Sequence, residues 1–471
     1  MNMQPTLRIC HLAATLLASG LLLPSASQGA DATKPNIVLI FTDDQPQNAM
    51  GCMGNKAIST PNMDRLAAEG VVFDQMFVTT SICAVSRANL LTGQYMARHG
   101  INSFEKPLNA EQWKQTYPML LRAAGYRTAF LGKLAIGNPD KNDKNLALPA
   151  DQFDLWYGFP QSVSFRQTVD GKDRYLTTIM EEKVDQFLKE QPKDRPFLLI
   201  LALKEPHGPL AMEDPEMVPP PQGPIPRPAT LTQEAFDKLP EAITKTRNAN
   251  APSADYLKDD AKYQKDMATT YRYIHRADIA VGRVMDMLRK QGFDRNTVVI
   301  FTSDNGSMEG AHRLVGKWNM YEESIRVPLI IRDPRLSDSL HGRRGQMALN
   351  IDLAPTILAM AGLSVPPTMQ GSDLQPILRD PNAGGRKDWY YEHDISGFED
   401  SAKGRPLPRC EGVRTERWKY IRYKDTNPVQ EELFDLSSDP REEHNLVNDA
   451  KCAETLAALR ARCDAYPASL R

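Results

Sequence analysis

The sequence predicts a doubly wound α/β fold, in which helices cover both faces of a mostly parallel sheet. Two observations favour this fold. Short apolar runs alternate with helical patterns through most of the chain, and each run is nearly continuously apolar, as in strands that are buried on both faces. The predicted strands are Asn36–Phe41, Thr128–Leu131, Phe197–Leu203, Thr297–Phe301 and Val327–Ile331.

Helices are predicted between these strands. Thr60 can cap a helix that has Pro61 at its first position and Asp64 in its first turn. A longer helix is indicated by apolar residues that recur at intervals of three and four. They are Met267, Tyr271, Ile274, Val281, Met285 and Leu288. We interpret this stripe as core packing, and Asp278, which interrupts it, as the partner of a neighbouring group.

The main α/β pattern ends before the C-terminus. Turn-rich sequence at residues 380–387 precedes four short strand-like runs and a final helix, which predict a small antiparallel sheet with one helix. We therefore assign residues 33–385 to a main domain and residues 386–471 to a C-terminal subdomain. The predicted elements are Trp389–Tyr391, Glu411–Arg414, Trp418–Tyr423, Leu433–Asp435 and the helix Ala450–Tyr466.

Residues 1–32 are typical of a signal peptide. Arg8 precedes an apolar run from Leu12 to Leu23, and small residues follow near Ala30 and Ala32. The run is shorter than the roughly 20 apolar residues that a membrane-spanning helix needs. We therefore expect an exported, soluble protein with no membrane partner. The formal net charge of -2 gives no indication of a nucleic-acid partner.

Export would permit disulfide bonds. If Cys10 leaves with the signal peptide, Cys52, Cys83, Cys410, Cys452 and Cys463 remain. Cys452 and Cys463 lie roughly 16 Å apart on one predicted helix, beyond disulfide reach, so Cys410 is the nearest candidate partner for either. One bridge and two bridges both remain open. The only Asn-x-Ser/Thr sequence begins at Asn305, which favours a bacterial periplasmic or extracellular protein over a glycosylated animal protein.

Polar side chains follow four of the predicted strands directly. Because ligands of open α/β sheets bind just outside the carboxyl ends of the strands, we expect these side chains to meet at one edge. Their carboxylate and amide oxygens are the ligands that calcium or magnesium prefers, whereas zinc favours nitrogen and sulfur. The residues are Asp43 and Asp44, Lys133, His207, and Asp304 with Asn305.

A cysteine stands just before a predicted helix in the segment Ser81–Gly93. At that position Cys83 would lie in the positive field of the helix N-terminus, which favours a reactive thiolate. An unpaired cysteine is nevertheless more often a buried structural residue. The residue type alone therefore leaves both interpretations open.

This segment resembles the formylglycine motif of sulfatases, Cys-x-(Pro/Ala)-Ser-Arg followed by Leu-Thr-Gly, whose cysteine is oxidised to formylglycine. Further landmarks of the family occur in order along nearly all of the chain, and we identify it as similar to secreted bacterial glycan sulfatases. The resemblance implies an alkaline phosphatase-like fold, with the main domain as the catalytic domain. The landmarks are Thr60–Ala67, Gly125–Ala129, Gly132-Lys133, Pro206–Pro209, Ser303–Gly306, Gly316-Lys317, Tyr321–Pro328, Gly412–Thr415 and Leu433–Leu436.

The same resemblance implies a metal centre and a modified residue. A formylglycine-generating maturation enzyme would convert Cys83, and the hydrated aldehyde would supply the nucleophilic oxygen. Calcium is the implied ion, with magnesium as the alternative. Its ligands would be Asp43, Asp44, modified Cys83, Asp304 and Asn305.

The basic residues also receive implied roles. Arg87 would orient the hydrate. Lys133 and Lys317 would neutralise the sulfate oxygens, where charge builds up in the transition state. His207, with Lys317, would protonate the leaving alcohol. Two further histidines are candidates for substrate contact, His312 and His393.

Two positions depart from the family pattern. Ala135 stands where a histidine normally helps to break down the sulfated intermediate, so another base or water must act, or turnover is slow. The candidate bases are His99, His312 and His393. Val85 stands where maturation enzymes usually meet Pro or Ala. If Cys83 stayed a thiol, the protein would bind sulfated glycans without cleaving them. The other alternative is a phosphonate or phosphate-ester hydrolase of the same superfamily.

The expected substrate is a sulfated carbohydrate or another sulfate ester. Its contacts should come from loops outside the metal site. The predicted loops are Ser103–Trp113, Asp140–Arg174, Glu213–Asp255 and Tyr391–Arg409, which contain Arg166, Arg174, His393 and Arg405. Most of these four side chains are expected to be solvated surface.

Overall fold

The structure is a computed structural model that describes Met1, Asp255, Leu257 and residues 34–137, 149–161, 163–210, 223–250, 259–395 and 406–470. Residues 35–471 form one compact unit. Apart from Met1, the predicted signal peptide lies outside the described residues and stays a prediction. None of the described helices combines the length and the apolar character that crossing a membrane would take.

All of the predicted strands are present, with small differences at their ends. The strands are β1 (Asn36–Asp43), β2 (Val71–Phe77), β3 (Arg127–Lys133), β4 (Leu155–Phe159), β5 (Arg166–Val169), β6 (Lys172–Tyr175), β7 (Phe197–Pro206), β8 (Thr297–Ser303), β9 (Leu329–Arg332), β10 (Gly342–Leu349), β11 (Asp388–His393), β12 (Cys410–Thr415), β13 (Trp418–Tyr423) and β14 (Gln430–Asp435).

The helices connect and cover these strands. They are α1 (Pro61–Ala68), α2 (Cys83–Thr92), α3 (Met96–His99), α4 (Ala110–Lys114), α5 (Tyr117–Ala123), α6 (Leu176–Lys189), α7 (Gln233–Asp237), α8 (Glu241–Thr244), α9 (Arg247–Asn250), α10 (Asp260–Lys290), α11 (Glu322–Ile325), α12 (Leu353–Met360), α13 (Gln375–Arg379) and α14 (Ala453–Leu470).

The large sheet has the strand order β10-β2-β9-β8-β1-β7-β3-β4. Its neighbours pair in parallel except around β9, which is antiparallel to both β2 and β8. The central strand β1 is buried along its whole length. Its alternate side chains enter two different cores, since Ile37 and Leu39 belong to one and Val38 and Ile40 to the other. The predicted sheet with both faces covered is therefore confirmed.

Asp278 joins the long helix α10 to the N-terminus of the first helix, α1. The carboxylate of Asp278 on α10 accepts hydrogen bonds from the backbone N–H groups of Asn62 (3.0 Å) and Met63 (2.7 Å) in the first turn of α1. The predicted capping role of Thr60 is wrong, because its hydroxyl instead accepts from the Gly51 N–H and donates to Asp64. The partner predicted for Asp278 is thus a helix N-terminus.

The C-terminal strands form an antiparallel sheet in the order β11-β12-β13-β14, as predicted. Apolar residues of this sheet, including Trp389 and Val413, share a core with the large sheet. Because both sheets lie in one compact unit, the boundary at residue 385 stays a prediction. The five described cysteines, Cys52, Cys83, Cys410, Cys452 and Cys463, are all free, so the bridge considered for Cys410 does not form.

Candidate active site

Four neighbouring parallel strands, β8, β1, β7 and β3, end at the same edge of the large sheet. The register places Thr42 beside Ser303 and Asp43 beside Pro206. The polar side chains predicted from the strand ends therefore do meet. We call the resulting group the sulfate end, after the role that the resemblance implies for it; it comprises Asp43, Asp44, Cys83, Arg87, Lys133, His207, Asp304, Asn305 and Lys317.

Asp43 and Asp304 are the fully buried carboxylates of the sulfate end, and both contact cationic side chains. Lys133 Nζ lies 2.5 Å from Asp43 Oδ2. Arg87 places Nε and Nη2 each 2.8 Å from Asp304 Oδ2, and Nη2 also lies 3.4 Å from Asp43 Oδ2. The guanidinium therefore bridges the two carboxylates and fixes the end of β1 against the end of β8.

Asp44 follows Asp43 at the end of β1 and is the more exposed of these two carboxylates. Its Oδ1 accepts hydrogen bonds from Asn305 Nδ2 (2.7 Å) and from the Lys317 ammonium group. His207 Nε2 lies 3.8 Å from Asp44 Oδ2, and His207 Nδ1 lies 2.7 Å from the Gly208 carbonyl oxygen. Because that carbonyl can only accept, Nδ1 carries the proton, and Nε2 is the ring atom free to gain or lose one.

Cys83 begins α2 and is fully buried at the centre of these groups. Its thiol donates to Asp43 Oδ1 (3.2 Å) and accepts from Lys317 Nζ (3.1 Å). Burial and the charge of Asp43 raise the pKa of the thiol, so the reactive thiolate expected from the helix N-terminus is not favoured. Unmodified Cys83 would be a poor nucleophile.

The two buried carboxylates differ in their pKa shifts. Burial alone would raise the pKa of Asp43, but the surrounding cations, Lys133 foremost, hold it well below its usual range. Burial and the charge of Asp43 raise the pKa of Asp304 to about 6 against the opposing effect of Arg87. Burial also lowers the pKa of His207, which makes its protonated form a stronger acid.

Part of the sulfate end lines a cavity of about 570 Å³, namely Asp44, Cys83, Lys133, His207 and Lys317. A family model described as Sulfatase matches residues 35–363 of the chain. The chain belongs to the sulfatase family. Like other members, this sulfatase is a sulfuric ester hydrolase. A second model, described as N-sulphoglucosamine sulphohydrolase, C-terminal, matches residues 310–468.

The sulfatase resembles curated proteins over nearly its whole length. N-acetylglucosamine-6-O-sulfatase of Bacteroides thetaiotaomicron is 31% identical, over 96% of this chain and 89% of its own. Human N-acetylglucosamine-6-sulfatase is 28% identical, over 82% of this chain and 72% of its own.

Two solved structures extend the comparison. One, in complex with its substrate D-glucosamine-2-N,6-O-disulfate, has a TM-score of 0.75 and 28% identity, covering 92% of this chain and 97% of its own. The phosphonate monoester hydrolase of Agrobacterium radiobacter has a TM-score of 0.73 and 25% identity, covering 91% of this chain and 96% of its own. The alkaline phosphatase-like fold is therefore confirmed.

The donors at the strand ends fit a hard cation. One ligand atom from each of Asp43, Asp44, Cys83 and His207 lies within 4.8 Å of the others. Asn305 donates through Nδ2 to Asp44, and its buried Oδ1 has no hydrogen-bond partner among the described residues. A buried acceptor without a partner is costly unless a donor or an ion satisfies it. The oxygen-rich set is one that calcium or magnesium prefers.

The three candidate bases proposed for the position of Ala135 do not line the described part of the cavity. His99 has both ring nitrogens engaged, with Asn89 and with a backbone N–H. His312 is buried against Tyr321. His393 is buried, with Nδ1 2.9 Å from the Pro408 carbonyl oxygen. The structure therefore gives His312 and His393 no contact with the cavity.

The two departures from the family motif are both buried. Ala135 is fully buried and has a φ of 63°. Its methyl group offers no titratable atom in place of the family histidine. Val85 packs in a small apolar cluster with Ile82, Met96 and Leu407, which explains why an apolar residue is accommodated there.

Apart from Gly208, Pro209 and Gly316, which are neighbours of His207 and Lys317 in the sequence, five further residues line the cavity, and we call them the outer wall. They are Phe104, Glu105, Gln161, Arg247 and Trp318. Three of the four predicted specificity loops contribute to this wall, but none of the side chains named in those loops does so. Arg166 and Arg174 instead form ion pairs with Asp173 and Glu182. Arg405 lies outside the described residues.

Proposed function

We propose that this sulfatase hydrolyses a sulfate ester on a sulfated carbohydrate through a formylglycine made from Cys83. The observation that carries the proposal is the position of Cys83, whose sulfur lies 3.1 Å from Lys317 Nζ and 3.2 Å from Asp43 Oδ1. A nucleophile at this residue would meet the sulfate where the cations of the site converge. As formylglycine, Cys83 would supply the hydroxyl oxygen of the aldehyde hydrate as the nucleophile.

A cation completes the proposed site. Asp43, Asp44, Asp304 and Asn305 would hold calcium, or magnesium, and the ion would add positive charge beside the sulfate oxygens. The unsatisfied Oδ1 of Asn305 supports this assignment. The bridging guanidinium of Arg87 keeps Asp43 and Asp304 in place for that role.

The remaining charged groups act on the two ends of the scissile bond. Lys133 and Lys317 neutralise charge on the non-bridging sulfate oxygens as the S–O bond breaks. His207, partly exposed toward the cavity, donates the Nε2 proton to the leaving alcohol oxygen. Its Nδ1–H stays bonded to the Gly208 carbonyl, which keeps Nε2 as the atom that exchanges the proton.

The carbohydrate part of the proposal is supported by the relatives, which are named for 6-sulfated N-acetylglucosamine. A cavity of about 570 Å³ is in the size range of small-molecule sites. Glucosamine 6-sulfate and N-acetylglucosamine 6-sulfate are therefore the first substrates to examine. The bacterial relative is in line with a bacterial source for this chain, while export rests on the predicted signal peptide alone. Attached N-glycans on native material would contradict a bacterial source.

The function is tested by sulfate release from these sugars, using protein produced together with a formylglycine-generating enzyme. We expect hydrolysis of sulfate esters at least about a hundredfold faster than hydrolysis of a phosphonate monoester, with no turnover by Cys83→Ala. Faster phosphonate hydrolysis would favour the alternative that the Agrobacterium structure represents. Tight binding of sulfated sugar without any release would favour a non-catalytic sulfoglycan-binding protein.

A further inference from the structure

Arg247 of the outer wall lies on the short helix α9, which is hydrogen-bonded to the loop that carries Lys317. Asn248, fully buried on α9, donates through Nδ2 to the Val315 carbonyl oxygen (3.0 Å) and to the Lys317 carbonyl oxygen. The backbone of Asn248 accepts in turn from the Val315 N–H (3.0 Å). The helix that carries Arg247 is therefore attached to the loop that carries Lys317.

Trp318 is fixed beside this helix. Its backbone N–H donates to the Ser81 carbonyl oxygen (3.2 Å), and its φ of 80° lies in the left-handed region. The indole also packs so closely on Gly316 that a Cβ there would lie 2.6 Å from Trp318 Cζ3. The glycine is thus required by the position of the ring, and the ring has little freedom to move.

The guanidinium of Arg247 lies over this indole, with Cζ 5.5 Å from the ring centroid. A guanidinium over an indole is attracted by the electron-rich face of the ring, which favours one position of the charge. The backbone N–H of Arg247 donates to the Pro406 carbonyl oxygen (3.1 Å). Arg247 is therefore a pre-oriented cation on the wall of the cavity.

The outer wall adds charged groups to the cavity beyond those of the sulfate end. On the outer wall Arg247 is the cation and Glu105 the anion among the described lining residues. A guanidinium fork matches the paired oxygens of a sulfate or a carboxylate.

We propose that Arg247, supported by Trp318, binds a second anionic group on the glycan, next to the sulfate ester that is cleaved. The proposal rests on the sulfatase function proposed above. The second anion is either another sulfate on the same sugar or the carboxylate of a neighbouring uronate. Substrates that carry such a group would be preferred over singly sulfated sugars.

The test compares three substrates with the active protein and with Arg247→Gln. They are glucosamine 6-sulfate, its N-sulfated counterpart, and a disaccharide in which 6-sulfated glucosamine is joined to glucuronate. The measurement is the ratio of kcat/KM for each doubly charged substrate to that for glucosamine 6-sulfate. We expect a ratio of about ten or more for at least one of them, falling roughly tenfold in Arg247→Gln. The substrate that responds identifies the second anion as sulfate or carboxylate.

Two variants serve as controls. Arg166→Gln removes an arginine that pairs with Asp173 and does not line the described cavity, and it should leave the ratios unchanged. Glu105→Gln removes the negative charge of the outer wall and should keep or increase the preference for a second anion. The proposed subsite would be rejected if the kcat/KM ratios stayed unchanged in Arg247→Gln. It would also be rejected if these ratios were near one in the parent protein.

The subsite and the proposed function can fail separately. If no substrate releases sulfate, the function proposal fails, and the subsite is then judged by calorimetric affinities for the same three compounds. A tenfold weaker affinity of Arg247→Gln for a doubly charged sugar alone would still support the subsite. Equal losses for all three compounds, or none, would reject it.

Discussion

The sulfate end and the outer wall of the cavity are built in different ways. The sulfate end is formed mainly by residues at strand ends and in α2, with Lys317 added from a loop, and its deepest members, Asp43, Cys83 and Asp304, are fully buried. The outer wall comes from loops and from the four-residue helix α9. Rigid positioning suits the shared chemistry at one end, and variable loops suit substrate selection at the other.

Charge is also distributed differently in the two regions. At the sulfate end the cations Arg87, Lys133 and Lys317 each contact a carboxylate. Removing one partner there leaves a buried charge without its counter-ion, whereas a change on the partly exposed wall would mainly alter contacts with the proposed sugar. Substitutions should therefore have effects that fall steadily from the sulfate end outward.

The largest effect is expected at Asp304. Asp304→Ala removes a proposed cation ligand and leaves the buried Arg87 guanidinium without its closest carboxylate partner, so sulfate release should fall by roughly a thousandfold or more. The unfolding free energy should fall by roughly 3–5 kcal/mol. Asp304→Asn keeps the shape and an acceptor and should lose activity with a smaller loss of stability. Unchanged metal content and turnover in Asp304→Ala would show that the site is assigned wrongly.

Lys317 should come next. Lys317→Met removes the ammonium group that contacts Cys83 and Asp44, and kcat should fall by roughly a hundredfold. Lys317→Arg restores the charge with a different shape and should recover part of the activity. Steady-state kinetics on one sulfated sugar give kcat for both variants. An equal loss of kcat in both would mean that the positive charge of Lys317 is not what the reaction needs.

Asn248 links the two regions, and its replacement should have an intermediate effect. Asn248→Asp removes both donated hydrogen bonds to the loop that carries Lys317, which should lower kcat by roughly tenfold. A purely structural role would lower the melting temperature and leave kcat per folded molecule unchanged. Measuring both on the same sample separates the two, and an unchanged kcat would contradict the positioning role.

The smallest effect is expected at Trp318. Trp318→Leu removes the aromatic support of Arg247, and KM for the doubly charged sugar should rise by roughly threefold. Trp318→Phe keeps an aromatic face and should change KM less. If both variants behave like the parent protein, the indole does not orient the guanidinium.

The same contrast explains what the sequence could predict. The sulfate end could be predicted from the sequence because Asp43, His207 and Asp304 lie at or just after the ends of apolar strands. Parallel strands bring such residues to one edge of the sheet. The edge strand β10 was missed because its sequence begins Gly-Arg-Arg-Gly, with little apolar character. The Thr60 cap was wrong because a distant carboxylate, Asp278, took its place. Tertiary partners of that kind leave no local signal.

The outer wall shows most clearly which contacts could not be predicted from the sequence. Its loops could be outlined, but Arg247 and Trp318 are far apart in sequence and meet only because Asn248 attaches α9 to the Lys317 loop. Arg166 and Arg174, which the sequence offered as candidate sugar contacts or as solvated surface, pair with neighbouring acids. Spacing along the chain contains no information about such contacts.

The central claim is that Cys83 becomes the formylglycine nucleophile, and the mass of the tryptic peptide Leu66–Arg87 tests it most directly. Protein from its native host should give a peptide in which the thiol has been replaced by an aldehyde that reacts with a carbonyl reagent. A peptide that keeps an intact cysteine in all of the protein would contradict the claim, because burial beside Asp43 leaves that thiol protonated and unreactive.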